Sequence, residues 1–228
     1  MGIKERHERD REAVHRAILD AARELFVSEG YQNVSIRKIA ERIEYSPAAI
    51  YGYFPSKDDI FFALAEEGFH LLSDANDPDR RQHLQTLEPV ARVRERFWHV
   101  YEFSREHPQY FALMFVDRYV PRISREYERF AFLHDMKREV IARIQECIDV
   151  HAFASTLDAS VACRMLMMGV LGVGAMGLSD RLGPREQADV LASDVLDTLL
   201  AGLTSGVSLQ SMSTLCAVDE PAARARVS

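Results

Sequence analysis

Apolar residues return along this chain at steps of three and four almost without interruption, and no convincing period-two run is bounded by turns. The pattern predicts an all-α protein. From about 10 to 29, Val14, Ala17, Ile18, Ala21, Leu25 and Phe26 share one helical face, and Gly30 ends that helix. Ser35 reads as the N-cap of a short helix carrying Ile36, Ile39, Ala40 and Ile43. Ser46 caps the next, with Pro47 at the first helical position, where its missing N–H is no loss; Pro55 closes it. Ser56-Lys57-Asp58-Asp59 then opens a fourth helix in the manner of a capping box, its two acids facing the positive end of the helix dipole.

The stretch SDANDPDRRQ (73–82) is polar and turn-rich and reads as a break. Helices are expected after it near 88–106, 108–118, 122–151, 157–179 and 185–205, with Pro89, Pro108, Pro121 and Pro184 at their boundaries. The expected division is a small N-terminal domain over 10–70, a larger helical domain over 75–206, and a fraying tail over 207–228.

Composition narrows the setting. No unbroken apolar run approaches ~18 residues, so no membrane-spanning helix is expected. The charged start lacks a signal-peptide segment, and Arg6 stands where a myristoylation motif needs Ser or Thr. Cys147, Cys163 and Cys216 are odd in number and far apart, which suits a reducing, cytoplasmic location. A net charge of −7 argues against nucleic acid as a partner, but its distribution qualifies that. Residues 1–57 hold ten Lys and Arg against nine Asp and Glu, so the acidic excess belongs to the rest of the chain.

Two short helices joined by a tight turn, with a longer helix on each side, form the helix-turn-helix arrangement. Here they are SIRKIAERI, the turn Glu44–Tyr45, and SPAAIYGYF. Ala48 and Ala49 keep the start of the second helix slim enough for a DNA groove. Ile50 and Phe54, four apart, face inward, which turns Tyr51 and Gly52 outward and leaves Tyr53 at the edge.

Residues 10–70 closely resemble the N-terminal DNA-binding domain of the TetR family of bacterial transcriptional regulators. The resemblance lies in ILDAARELFVSEGYQNVSIRKIAERI followed by SPAAIYGYFPSKDDIFFAL. It covers the helix-ending Gly30, the aromatic Tyr31, Ser35, the pair Ile39-Ala40, the run Tyr51 to Phe54, and Lys57. It implies a homodimeric regulator, most often a repressor, that binds a palindromic operator on double-stranded DNA and is released by a small effector in its C-terminal domain. By position, Ser35, Lys57 and Tyr51 or Tyr53 would bind phosphate, and Arg37, Pro47, Ala48, Ala49 and Gly52 would lie near base edges. Arg37 is the candidate for reading guanine, since its fork pairs with O6 and N7. The chain departs from the pattern at Glu44, where the family usually has Gly. Either the turn is built differently or a strained positive φ is tolerated.

The segment 97–136 is loaded with aromatic and methionine side chains, and Met165, Met167 and Met168 follow. Any one of them is readily explained as core; together they suit an adaptable apolar pocket. Trp98, Tyr101, Phe111, Met114, Phe115 and Met168 are the candidate ligand contacts, for an apolar or aromatic effector. Gly169 and Gly172, with the stripe Leu191, Val195, Leu199 and Leu203, are the candidate dimer face.

Other signals lead nowhere. Gly172-x-Gly174-x-x-Gly177 matches a dinucleotide fingerprint in form, but no strand precedes it and no parallel sheet is in prospect. The eight histidines make no close ligand pair, and no nucleophile sits in a recognisable elbow, so no metal, cofactor or enzymatic activity is expected. The alternative reading is a helical small-molecule carrier or enzyme with a helix-turn-helix lookalike at its start.

Overall fold

The computed structural model describes residues 3–73, 77–123, 126, 128–182 and 185–206, and every regular element among them is helical. The first group is α1 (Ile3–Glu29), a single 3-10 turn (Tyr31–Asn33), α2 (Ile36–Arg42), α3 (Pro47–Tyr51) and α4 (Lys57–Leu72). Then come α5 (Pro78–Thr86), α6 (Pro89–Glu106), α7 (Pro108–Phe111, continued as a π-turn over Ala112–Val116), α8 (Ala131–Asp149), α9 (Ala159–Leu178) and α10 (Arg185–Ser205).

Local chemistry sets most boundaries. The hydroxyls of Ser35, Ser46 and Ser56 accept from the backbone N–H of Lys38, Ala49 and Asp59, each at 3.2 Å. These bonds satisfy donors that a helix start leaves open. Gly30 leaves α1 at φ 82°, a conformation costly for any side chain.

Two boundaries differ from the sequence expectation. Part of the stretch read as a break is α5, capped by the Asp77 carboxylate, which accepts from Arg80 N at 2.9 Å. Leu84 is the one residue α5 buries, so it carries no amphipathic signal. The helix expected from 122 begins at Ala131, after a turn at 128–130. The expected tail at 207–228, with Cys216, and the boundary residue Pro184 lie outside the described residues.

The core forms two clusters. The first joins α1 to α4 around Ile18, Phe26, Ile39, Ile50 and Phe61, and continues into Phe103, Tyr110 and Phe111 of the larger half. The second joins α6, α8, α9 and α10 around Phe97, Tyr101, Ile144, Leu166, Val170 and Leu196. By length and composition α9 could cross a membrane, a property not anticipated from the sequence. In this fold its Leu166, Val170 and Val173 are buried against neighbouring helices, while Met168 and Met176 face outward.

Candidate DNA interface and inner cavities

The helix-turn-helix stands on Ile50 and Phe54, 0% and 5% exposed, and Phe54 stacks on His15 of α1 at 4.7 Å. Anchoring that face leaves Pro47, Ala48, Tyr51 and Gly52 exposed, with Ala49 and Tyr53 half-buried. Tyr51 is 55% exposed, far more than a core aromatic. The turn before α3 is held by Tyr45 N–H, which donates to Ala40 O at 2.9 Å. Glu44 takes φ 59° to make it, so the strained conformation is the one adopted. Tyr45 is itself an exposed aromatic at the mouth of α3. Its position in a turn, outside any core-facing spacing, was the available signal, and the sequence reading missed it.

Cations around this surface are paired at rest. Arg37 Nε donates to Glu41 at 2.9 Å, Arg42 Nη2 to Glu24 at 2.9 Å, and Lys38 to Glu29. Lys57, expected at phosphate, turns inward. Its ammonium donates to the carbonyls of Tyr31 and Val34 at 2.8 and 2.9 Å and lies 4.1 Å above the Tyr31 ring. Burial pulls its pKa down, and nearby Asp58 opposes that. The Tyr31 hydroxyl donates to Asp58, and burial followed by that carboxylate raises the phenol's pKa. Lys57 and Asp58 thus clamp the start of α4 onto the turn after α1.

From there α4 runs to the larger half. Arg16 of α1 donates to Asp20 and to Glu67 of α4, at 2.9 and 2.7 Å. Its guanidinium holds the Asp20 carboxyl below the usual range. Arg23 donates to Gln109 and to the Tyr110 hydroxyl of α7, at 2.9 and 2.7 Å. Gly68 is where α4 meets Tyr110 and Met114, leaving no room for a side chain.

Beyond α4 lie two adjacent voids. The inner, of 190 Å³, is walled by Phe69 and Leu72 of α4, Arg96, Phe97, His99 and Val100 of α6, Phe115 of the π-turn after α7, Leu133, Met136, Lys137 and Val140 of α8, and Cys163 and Met167 of α9. The outer, of 490 Å³, opens between α4, α5, α6 and α8 and shares Arg96, Phe97, Met136 and Val140 with the inner one.

Of the six candidate ligand contacts, Phe115 lines the inner void. Trp98 and Tyr101 line neither void: Tyr101 donates to Asp189 of α10 at 2.5 Å, and Trp98 Nε1 donates to Glu102 at 2.9 Å with Arg94 lying over its ring. Burial, then Asp189, pushes the Tyr101 phenol up to about 12. Phe111 is sealed in the core, and Met114 packs on Gly68. Met168 is 67% exposed on the outer face of α9, in an open groove with Met165, Leu191 and Val195. That face was legible as apolar. Which way it pointed was not.

The glycines of α9 divide by direction. A Cβ on Gly169 would stand 2.6 Å from Leu199, so this residue lets α9 and α10 approach within one protomer. One on Gly174 would stand 2.7 Å from Phe111, whereas Gly172 faces open space. Leu203, expected in the exposed stripe, is buried at 3%. The glycine fingerprint lies within a continuous helix, so it forms no phosphate-binding turn. Cys147 and Cys163 are free thiols; burial pushes Cys147 up to about 11 and raises Cys163.

Comparison with known proteins agrees with this geometry. Residues 18–64 match the profile of bacterial regulatory proteins, tetR family. The HTH-type transcriptional repressor Rv1474c of Mycobacterium tuberculosis is 44% identical over 55 residues, which are 24% of this chain and 29% of that protein. The chain therefore spans less than a third of that relative's length. Over most of its length the fold is similar to the fatty acid degradation regulator FadR from Bacillus halodurans, with TM-score 0.67 and 18% identity, over 83% of this chain and 95% of the other. It is also similar to the transcriptional regulator FadR from Bacillus subtilis in complex with stearoyl-CoA, with TM-score 0.65 and 16% identity, over 82% and 98%. The chain carries, over residues 18–64, the DNA-binding domain of the tetR family of bacterial regulatory proteins.

Proposed function

We propose that the protein is a cytoplasmic, homodimeric transcriptional repressor that binds a palindromic operator and is released by a small molecule held in the paired voids. The observation that carries the reading is the slim, exposed start of α3, Pro47-Ala48-Ala49, set between Ser35, Arg37 and Tyr51 on an anchored helix pair. Such a helix enters the major groove while hydroxyls and backbone N–H groups meet phosphate. Arg37 reads a base edge by exchanging Glu41 for guanine. Relatives matched over the N-terminal part are named as repressors, and a regulator of the same fold was solved with stearoyl-CoA.

A second copy supplies the other half-site. The outer faces of α9 and α10 offer Met165, Met168, Met176, Leu191 and Val195 beside Gly172, an apolar surface suited to a four-helix interface. Ligand response follows from α4, which begins at the clamp beside the recognition helices and ends as a wall of the inner void. A ligand that fits one placement of α4 better than another shifts the population between them.

The test is fluorescence anisotropy against DNA flanking the gene and a scrambled duplex at several salt concentrations. Arg37→Ala is expected to cost about 1–3 kcal/mol on the palindromic duplex and much less on the scrambled one. Equal weakening on both would make Arg37 a backbone contact. No salt-dependent binding by the native chain, or a monomer in sedimentation at micromolar concentration, would overturn the reading.

A further inference from the structure

We propose that α1 is part of the DNA interface: Arg11, at the edge of Tyr53, binds a phosphate on the backbone beside the groove that α3 enters. This rests on the reading of α2 and α3 as the DNA-binding pair. The helix spans Ile3–Glu29, but full burial begins only at Ile18. Residues 5–13 are all exposed, so roughly 13 Å of helix stands clear of the core at 1.5 Å per residue. A charged helical stretch of that length buries nothing and gains little from packing. Its neighbours on α3 give it a surface to serve.

The stack of His15 on Phe54, an anchor of α3, fixes how α1 passes the recognition helix. One turn earlier, the Arg11 guanidinium lies over the Tyr53 ring, 5.9 Å from its centroid. Positions 7, 11 and 15, four apart, share one face of α1, so exposed His7 continues the line a turn further out. Consecutive positions differ by about 100° around a helix. Asp10 and Glu12 therefore lie to either side of the Arg11 face, and Arg9 lies nearly opposite. Arg9 is also engaged elsewhere, its Nε donating to the Glu5 carbonyl at 3.3 Å.

Arg11 differs at rest from the other cations of this surface. Arg37, Lys38 and Arg42 each hold a carboxylate, and Lys57 holds two carbonyls. Arg11 makes no ion pair and no hydrogen bond among the described residues; its partner is the Tyr53 ring. A guanidinium resting on an aromatic face keeps its N–H fork available to an oxyanion. Tyr53 is half-buried at the edge of α3, beside the exposed Tyr51 and Gly52. A groove that receives the exposed face of α3 brings its flanking sugar–phosphate backbone to that edge. The contact is with phosphate, so it adds affinity and register but reads no sequence.

The experiment is fluorescence anisotropy of the full chain on a duplex from the DNA flanking the gene and on a scrambled one, at several salt concentrations. Arg11→Gln is expected to lower the salt slope by about one unit per protomer and to weaken binding to both duplexes by roughly fivefold per lost contact. Arg11→Lys keeps the charge and should keep the slope. Arg9→Gln, on the opposite face, should bind as the native chain does, and all three variants should melt with it. A native slope in Arg11→Gln, with or without a lower melting temperature, overturns the α1 contact and leaves the DNA reading standing. An equal fall in Arg9→Gln does the same, since it would reflect charge alone and not this face. Weakening confined to the gene-flanking duplex makes Arg11 a base reader and overturns the phosphate assignment. Absence of salt-dependent binding by the native chain overturns both readings together.

Discussion

Around the helix-turn-helix, Arg37, Lys38 and Arg42 each meet an acid of the same small unit, whereas beside the voids Arg92 of α6 reaches the carbonyls of Leu84 and Leu87 and the Glu146 carboxylate of α8. The paired arrangement costs little to open, because exposed ion pairs contribute only about 0–1 kcal/mol each. Phosphate can therefore take over a guanidinium without leaving a buried charge behind. The second arrangement is sustained differently. Its arginine and its partners come from α6, the end of α5 and α8, so the contact is held by the packing of the larger core. The two regions thus differ in what holds them: short-range capping and pairing in one, long-range packing in the other.

That difference is broken most severely at Gly174. Valine there would press on Phe111 and Ser104, and overpacking a close-packed contact is expected to cost about 1–3 kcal/mol. The melting temperature and the ligand response should fall together. Gly172→Val, two residues away in open space, should leave folding stability within about 0.5 kcal/mol and act on self-association. Equal drops in thermal melts of the two variants would contradict the inward and outward faces of α9.

Lys57→Ala sharpens the comparison at the other end. It removes two charge-assisted hydrogen bonds from a half-buried ammonium, so chemical denaturation should show a loss of about 1.5 kcal/mol. If the third N–H reaches phosphate, the salt slope of DNA binding falls by about one unit as well. An unchanged slope confines Lys57 to the clamp.

The smallest expected effect is at Glu44. Glycine accepts φ 59° freely, so Glu44→Gly should stabilise the fold by about 1 kcal/mol. Glu44→Gln removes only the charge. Tighter DNA binding by both variants, with added stability in the glycine one alone, would separate repulsion from strain.

The legibility of the molecule follows the same division. Ser35, Ser46 and Ser56 were readable as caps because a cap bonds only two or three residues ahead. Ile50 and Phe54 were readable as anchors because one helical turn separates them. The polar helix α5 was missed because it rests on one buried residue and on its contact with α6. Lys57 reads as an outward charge along the chain, because nothing in its sequence neighbourhood reveals that the carbonyls of residues 31 and 34 lie beneath it.

By itself the sequence determined the all-helical class, the helix-turn-helix with its exposed α3 face, and the apolar character of α9. Each of these depends on spacing within a turn or two of helix. Only the tertiary structure decided that Gly174 is inside and Gly172 outside, that Met168 faces away from both voids while Phe115 lines one, and that cations from three helices converge on them. A helix apolar on every side has no preferred inward face until its neighbours are in place, and a cavity belongs to no segment of chain.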